Sequence, residues 1–525
     1  MKKLVKQLLW NTCVCLISTS ICIAQTSPKS QWVYADAKGK LVYKTLQAGD
    51  KIMDFSYAGY MGGGVSIPDV GVMVTLSPIA GDNSNAIQKA IDEVAQMKMV
   101  NGSRGAVLLK PGIYDCENTL NINAGGVVLR GSGSGEKGTI LNLTGKPHAC
   151  VTVKGNTSSK TIGEATMIAD SYVPCGSNSF NIKNAAAFAV GDTIRITRPI
   201  TDAWIQFMGM DQLVRDGKKQ TWVSGDITTE RVIEKIEQNK ITVDVPLNDS
   251  YDAKYTAPGV TVQKITTAGE LSQIGIEDLR IVSPEQSVTI NDGHHRAFSM
   301  SGAHDAWARN LEIFNTVNSI SVTGKRITVD NVSIIHNVPT IGAAKPADLN
   351  GSGQQVLFNH CSIKGDNLFF FGTGAKVTGP VVVLNCAFNG NGWIQPHQRW
   401  ATGLLIDGCE VPDGGIDFMN RGIMGSGHGW AIGWAVAWNC KAKSYLNQQP
   451  PGSANWVIGS TGEQQKKSMP GSGQGTGISY NDALLPEGIY DSHGTAVTPS
   501  SLYLAQLYER LGKQALINIG YKDYK

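Results

Sequence analysis

The sequence predicts an all-β solenoid: a right-handed parallel β-helix with an N-terminal capping helix, an inserted β subdomain and a C-terminal helix. The first observation behind this is a short pattern that recurs through the second half of the chain. It is centred on Leu279 within Ile276 to Ile281, on Leu311 within Ala308 to Ile313, on Val332 within Val329 to Ile334, and on Cys361 within Phe358 to Ile363. Cys386, Cys409 and Cys440 occupy the same place in three more copies. Apolar residues alternate inside each copy, as on a strand with one face inward. A polar residue, often Asn or Asp, stands just before the centre. The second observation is the spacing of these centres, which runs from 21 to 32 residues. A repeat of that length means turns that stack on each other. Unequal gaps mean fixed strands and variable loops, and such loops are where a groove is built. The third is the content of 60 glycines, which suits many tight turns. Right-handedness follows from the general preference of parallel crossovers.

The elements follow in order. Lys2, Lys3 and Lys6 precede an apolar run from Leu8 to Ala24, and Cys22-Ile23-Ala24 has the small-x-small form of a cleavage site. Residues 1–24 therefore read as a secretory signal peptide cut after Ala24, with a secreted or periplasmic product. No later apolar stretch is long enough to span a bilayer. Residues 25–80 are irregular, with a turn-rich stretch from Tyr57 to Gly64. The β-helix starts over residues 81–155. There Asp82-Asn83-Ser84 offers caps for a helix with Ile87, Ala90, Ile91 and Val94 on one face, expected to cover the open end of the solenoid. Two strand-then-turn units follow, at Gly105 to Tyr114 and Val127 to Gly131. Gly131-Ser132-Gly133-Ser134-Gly135 precedes another strand-like run and not a helix, so it is no dinucleotide loop.

Residues 156–265 break the rhythm. Val190 to Ile196 and Ile241 to Val245 read as antiparallel strands, and Trp204, Trp222, Arg198, Arg215, Lys218 and Lys219 gather in the same segment. This is the inserted β subdomain, expected to lean over the groove. The main β-helix with its groove occupies 266–460. A tail over 461–525 is rich in Gly, Ser and Gln at first and ends in an amphipathic helix carrying Leu502, Leu504, Leu507, Tyr508 and Leu511.

Composition narrows the function. The formal charge is +3, and the three lysines of the signal segment carry about that much. A near-neutral mature chain is no nucleic-acid binder, so any anionic ligand must be held by local cations. After the signal segment seven cysteines remain, an odd number that excludes complete internal pairing. Four of them sit at the inward repeat position, where a column of buried thiols is expected. Without a CxxC pair there is no zinc motif.

Eight of the nine histidines lie after residue 293. Two stretches stand out: Gln395-Pro396-His397-Gln398-Arg399-Trp400, and Met419-Asn420-Arg421-Gly422 followed by Gly427-His428-Gly429-Trp430. The cysteine ladder gives their register. His397 is 11 residues after Cys386 and Asn420 is 11 after Cys409; His397 is 12 before Cys409 and His428 is 12 before Cys440. Equivalent positions on neighbouring turns are about 4.8 Å apart. His397, Arg399, Asn420, Arg421 and His428 are thus expected on one face. Two Arg and two His brought together repel one another unless an anion arrives. A uronate carboxylate is such an anion, and β-elimination at a uronic acid needs carboxylate neutralisation, a base for the C5 proton and a proton for the leaving oxygen. This assigns His397 or His428 as base, Arg399 and Arg421 to the carboxylate, and Asn420 to a further hydrogen bond. Trp204 and Trp222 are candidate stacking platforms for sugar rings, with core packing the safer reading for each, and Trp430 is a further candidate substrate-binding residue.

Asp82 to Tyr114, with Ala86 to Asp92 followed by Leu108-Leu109-Lys110-Pro111-Gly112-Ile113-Tyr114, resembles the N-terminal entry of the pectate-lyase superfamily. The segments His397 to Gly403, Gly425 to Trp430, Trp438-Asn439-Cys440 and Asn455 to Gly459 resemble secreted bacterial proteins of that superfamily. The resemblance covers most of the mature chain and implies the right-handed β-helix. Its members include lyases, hydrolases, epimerases and tailspikes. The expected function is a secreted polysaccharide lyase acting on an acidic, uronate-containing polysaccharide. The alternatives are a glycoside hydrolase on the same scaffold and a non-catalytic glycan-binding solenoid. The superfamily's polygalacturonases carry an Asp-Asp pair, which this sequence lacks, and that disfavours the inverting hydrolase. No cofactor is required by this reading. Calcium is left open by Asp407, Glu410, Asp413 and Asp417, and a monomer is expected.

Overall fold

The computed structural model describes residues 28–289, 291–340, 347–466 and 484–524. The expected signal peptide, and most of the Gly-, Ser- and Gln-rich stretch after residue 460, lie outside them. Of the described strands, 28 join one ladder, with parallel pairing from turn to turn. Each turn has three arms. The first-arm strands Gly105–Leu109, Val127–Arg130, Gly275–Val282, Ala303–Phe314 and Lys325–Ile335 pair in succession. The succession continues through Gln354–Asn359, Thr378–Leu384, Ala401–Asp407, Val436–Trp438 and Trp456–Ile458. This is the parallel β-helix that the repeat predicts.

The repeat centre is a corner. Leu279 pairs with Leu311, and Leu311 with Val332. Cys361, Cys386, Cys409 and Cys440 continue the column, all buried, and the Cys361 amide donates to Cys386 Sγ at 3.3 Å. The seven cysteines among the described residues are free and buried, and burial pushes the Cys386 and Cys440 thiols well up. The polar residue before each centre now has a cause. Asp278, Asn310, Asn331, His360, Asn385, Gly408 and Asn439 all have positive φ, between 47° and 63°. The chain turns there between two arms through a left-handed conformation, which Asn, Asp and Gly tolerate best. Each segment that reads as one strand is therefore two short arms meeting at a bend. The bend residues also bond to each other: Asn310 Nδ2 donates to Asp278 Oδ1 at 2.8 Å, and Asn331 Nδ2 to Asn310 Oδ1 at 2.9 Å.

The helix Ser84–Gln96 buries Ile87, Ala90, Ile91 and Val94 on the first turns, as its periodicity predicts. Asp82 Oδ1 accepts from the Ser84 amide at 2.9 Å and starts it. The first-arm sheet is buried on both faces, which explains apolar runs such as Val381 to Leu384 and Leu404 to Ile406. Its outer face is covered by two segments far apart in sequence. Ile52, Met53 and Phe55 pack beside Leu502, Tyr503, Leu504 and Leu507 over Leu357, Val382, Leu405, Val436 and Trp456. These covering segments also bond to one another. Gln506 accepts from the Phe55 amide at 2.9 Å and donates to Met53 O at 2.9 Å, and Ser30 Oγ donates to Asp491 Oδ2 at 2.9 Å.

The chain leaves the solenoid after Ala149–Lys154 and returns at Leu271–Ser272. Between them lies a six-stranded antiparallel sheet with its own core of Phe180, Ile194, Ile196, Ile233, Ile241, Val243 and Val262. Thr193–Arg198 and Lys240–Val243 are both antiparallel, as expected, but each pairs with Ile227–Glu237 and not with the other. A short helix, Asp202–Phe207, and a hairpin of Val214–Arg215 with Lys218–Lys219 extend from this sheet.

Glu277 anchors the early turns. It is fully buried and accepts from Arg130 Nε at 2.5 Å, Arg309 Nε at 2.8 Å and Trp307 Nε1 at 2.8 Å. Glu277→Ala leaves two guanidiniums facing each other without their carboxylate, and it is expected to cost about 3–5 kcal/mol of unfolding free energy, read by chemical denaturation. A near-wild-type midpoint for that variant contradicts the assignment.

Candidate functional site

The insertion departs from the turn row that leads from the third arm back to the first. Later members of that row are the loops over residues 373–377, 395–400 and 419–431. The insertion folds down along the row and closes on the last two loops. Trp204, Trp222, Trp400 and Trp430 form one aromatic core there with Met208, Met210 and Leu213. Trp204 and Trp222 stack at 4.9 Å, and Arg198 lies over the Trp204 ring at 4.0 Å. Trp222 Nε1 donates to Trp430 O at 3.2 Å and Trp430 Nε1 to Met208 O at 3.1 Å. Trp204, Trp222 and Trp430 are 3%, 1% and 2% exposed. The expectation that they stack on sugars is corrected: their faces are used to seal the insertion to the solenoid.

Asp249 fixes that contact. Its carboxylate accepts from Trp400 Nε1 at 2.9 Å and from Trp434 Nε1 at 3.0 Å, with Arg198 Nε 4.0 Å away. Arg399 and Trp400 both have positive φ, 57° and 61°. Two consecutive bulky residues in this region are strained and need a surrounding that holds them. The indole bond to Asp249 holds Trp400, and thereby the turn that presents Arg399.

The structure brings four of the expected residues together. The His397 and His428 rings stand 4.8 Å apart, and Phe369 meets His397 edge-on at 5.9 Å. The Arg421 guanidinium lies over the Phe369 ring at 5.1 Å. Arg399 Nη2 donates to Ser426 O at 3.0 Å and to Ser426 Oγ at 2.5 Å. His428 fits under the loop because Gly425, at φ 56°, has no side chain: a Cβ there meets His428 Nε2 at 2.2 Å. Asn420, next to Arg421, is bonded into its own loop. Its Oδ1 accepts from the Gly422 amide at 2.8 Å and its own amide donates to Gln448 Oε1 at 2.8 Å, so it shapes the loop.

Burial and then the charges of Arg421, His428 and Arg399 hold the His397 imidazole well below its ordinary range. His428 is brought down to about 3, by burial first and then by Arg421, Arg399 and Arg215. Both rings are thus neutral at neutral pH, each with a buried Nδ1 that has no hydrogen-bond partner. The Arg421 charge also acts on Asp417, which the sequence offers only as an acid for calcium. Asp417 lies between the inward Ile416 and Phe418, so it points out of the solenoid, yet it is 2% exposed. It accepts from Gln395 Nε2 at 2.8 Å, and burial pushes its carboxyl up to about 7. The other acids do not converge on it. Asp407 accepts from Ser501 Oγ and the Tyr503 amide at the covering helix, and Glu410 pairs with Lys441 at 2.9 Å. Among the described residues no three His, Cys, Asp or Glu side chains are grouped as a metal needs.

Two clefts flank the cluster. One, of about 390 Å³, is lined by Lys325, Gln354, Lys376, Thr378, Glu230 and Glu270. It adjoins the site, because the Lys376 amide donates to Arg399 O at 3.0 Å. The other, of about 670 Å³, is more apolar and runs past Asn420, Trp430, Phe207, Met210 and Pro450.

No family model and no curated protein sequence matches the chain. Among solved structures it is similar to the Gp54 tailspike of Acinetobacter baumannii bacteriophage AP22, solved with a capsular saccharide. The identity is 14%, over 73% of this chain and 71% of that one, with a TM-score of 0.26. It is also similar to the A-module of the Azotobacter vinelandii mannuronan C-5 epimerase AlgE4, at 13% identity over 77% and 89%, TM-score 0.32. A third is the Streptococcus pneumoniae surface protein and adhesin PfbA, at 10% identity over 75% and 86%, TM-score 0.29.

The site opposes folding in acid. Above pH 6.5 His428 is neutral in both folded and unfolded chains. Below that, the unfolded chain takes up a proton that the folded site refuses down to about pH 3. Stability is therefore expected to fall on acidification across this window, by up to about 1.4 kcal/mol per pH unit for this one group. His428→Gln should flatten the slope, measured by denaturation at pH 7, 5.5 and 4; an unchanged slope contradicts the buried neutral imidazole.

Proposed function

We propose that the chain is a polysaccharide lyase that cleaves an acidic glycan by β-elimination at a uronic acid. The observation that carries this reading is the pair of imidazoles 4.8 Å apart, with the charges of Arg399 and Arg421 close enough to act on both. Planar guanidiniums engage both oxygens of a carboxylate, and neutralising it makes the C5 proton more acidic. The glycan lies along the cleft of Lys325, Gln354 and Lys376 and enters the cluster at Arg399.

His428 is the base in this proposal. Its loop also carries the contacts of Arg399. It takes the C5 proton, the electron pair forms the C4=C5 bond, and the C4–O4 bond breaks. The imidazolium so formed stands among arginines and gives its proton up readily, which suits it to protonate the departing O4. One group then serves as base and acid. His397, wedged between Phe369 and His428, positions that ring. The hydrolase alternative needs a pair of carboxyl groups flanking the bond. Asp417, the acid on which the Arg421 charge acts, is enclosed at 2% exposure, while Glu230 and Glu270 line the adjoining cleft.

A panel of uronate polysaccharides tests the reading. A lyase generates the ultraviolet absorbance of an unsaturated uronate; new reducing ends without it indicate a hydrolase, and retention without cleavage a binder. On the substrate so found, His428→Ala is expected to lower kcat by about 10²–10⁴-fold with folding intact. Turnover within threefold of wild type removes His428 from the chemistry.

The pH profile is a second test. The bound carboxylate offsets the arginines and raises the imidazole from its depressed value. The acid limb of kcat, which reports the complex, should therefore lie at higher pH than that of kcat/KM, which reports the free enzyme. Coincident limbs contradict the charge compensation.

A further inference from the structure

The cluster holds more positive charge than one carboxylate requires, and the surplus comes from the insertion. Arg215 belongs to the hairpin of Val214–Arg215 with Lys218–Lys219. Its Nη1 donates to Gly425 O at 2.5 Å. The next residue, Ser426, takes Arg399 Nη2 on its carbonyl and hydroxyl oxygens. Two guanidiniums from distant parts of the chain are thus held by neutral acceptors on adjacent residues of one loop. Both act on His428 strongly enough to depress it.

Neither is matched by a buried acid. Arg215 has Asp216 Oδ2 3.6 Å from its Nε, but that carboxylate is 88% exposed on the same hairpin. A pair so open to water is weak and is readily exchanged for a better partner. Among the described residues Arg399 makes its side-chain bonds to Ser426 alone, and its buried Nε has no hydrogen-bond partner there. The Arg215 side chain is itself 39% exposed, so it is reachable from solvent. With a formal charge of only +3 over 525 residues, this is a local concentration and not a property of the whole surface.

We infer that Arg215 forms a second anion subsite, so that the favoured glycan carries, beside its uronate, another anionic group: a sulfate ester or a neighbouring carboxylate. The inference rests on Arg399 and Arg421 holding the uronate. It makes the insertion a determinant of specificity in addition to a cover. The second anion displaces Asp216 from the outer guanidinium while the uronate occupies the inner pair.

The test is the binding of short uronate oligosaccharides by calorimetry, which does not depend on turnover. Three probes are compared: an alternating oligosaccharide with one sulfate ester next to the uronate, its desulfated form, and a homo-oligouronate. Wild type is expected to bind one or both doubly charged probes at least about tenfold more tightly than the desulfated one, as one charge-assisted contact provides. The probe that gains identifies the anion as sulfate or carboxylate. Arg215→Gln should collapse that ratio towards one, and Arg215→Lys should restore part of it. If Arg215 merely props the loop at Gly425, Arg215→Gln weakens all three probes equally, and that outcome overturns the inference. So does a wild-type ratio near one. If the ratio behaves as expected but no probe or polymer yields an unsaturated product, the subsite stands and the lyase reading falls.

Discussion

Parallel pairing between successive turns obliges each strand residue to lie about 4.8 Å from its counterpart one turn away, facing the same way. Everything else in the molecule is arranged around that obligation. Where a side chain points inward it must resemble the ones above and below it, which is why the corner column holds Leu279, Leu311, Val332 and then four cysteines. Where it points outward it stacks on its neighbours whether or not their charges agree. Asn310, Asn331 and Asp278 turn this into a ladder of mutual hydrogen bonds. His397 and His428 are the same rule applied to groups that gain nothing from each other in the free protein.

The site therefore depends on an energetic conflict. Desolvation, then Arg421 and Arg399, hold both imidazoles below their ordinary range, with Arg215 adding to the effect on His428, although either in water titrates close to neutrality. Asp417, the buried carboxylate on which Arg421 acts, is itself shifted towards its neutral form. The backbone adds its share of strain in Arg399 and Trp400, restrained by a bond from Trp400 to Asp249 in another unit of the chain. A stack built only of satisfied turns would have no such surface to offer a ligand.

How much of this was legible in the sequence follows from the range of each interaction. The column of repeat centres was readable because the inward residue and the bend-forming residue before it recur together. Counting from that column located His397 and His428 on neighbouring turns, and the helix over Ile87 to Val94 was plain from its period. Contacts between the insertion and the solenoid leave no periodic trace. Nothing local to Trp204 or Trp222 distinguishes a sealed indole from an exposed one, and only the fold shows them packed against Trp400. Asp249 lies 151 residues from the Trp400 that it holds, and Arg215 lies 210 from Gly425. Asp417 looked like any acid on a loop, because its enclosure comes from Gln395 on the preceding turn. Asn420 stands next to Arg421 as the count requires, but the use of its oxygen by the loop itself leaves no mark in the sequence.

Repeat arrays are usually treated as lines, in which each unit knows only its neighbours and the array can peel from either end. Here the segments that cover the first-arm sheet alter that topology. The stretch from Ser30 to Phe55 is bonded to Asp491 and Gln506, more than 450 residues later, and both lie across the intervening turns. The stack is thereby strapped lengthwise, more like a bundle tied with its own cord than a row of coins. Peeling from one end has to undo the strap at the other. The same knot sets the order of assembly: the turns can stack as they are made, but the cover stays open until residues 491–506 have been synthesised.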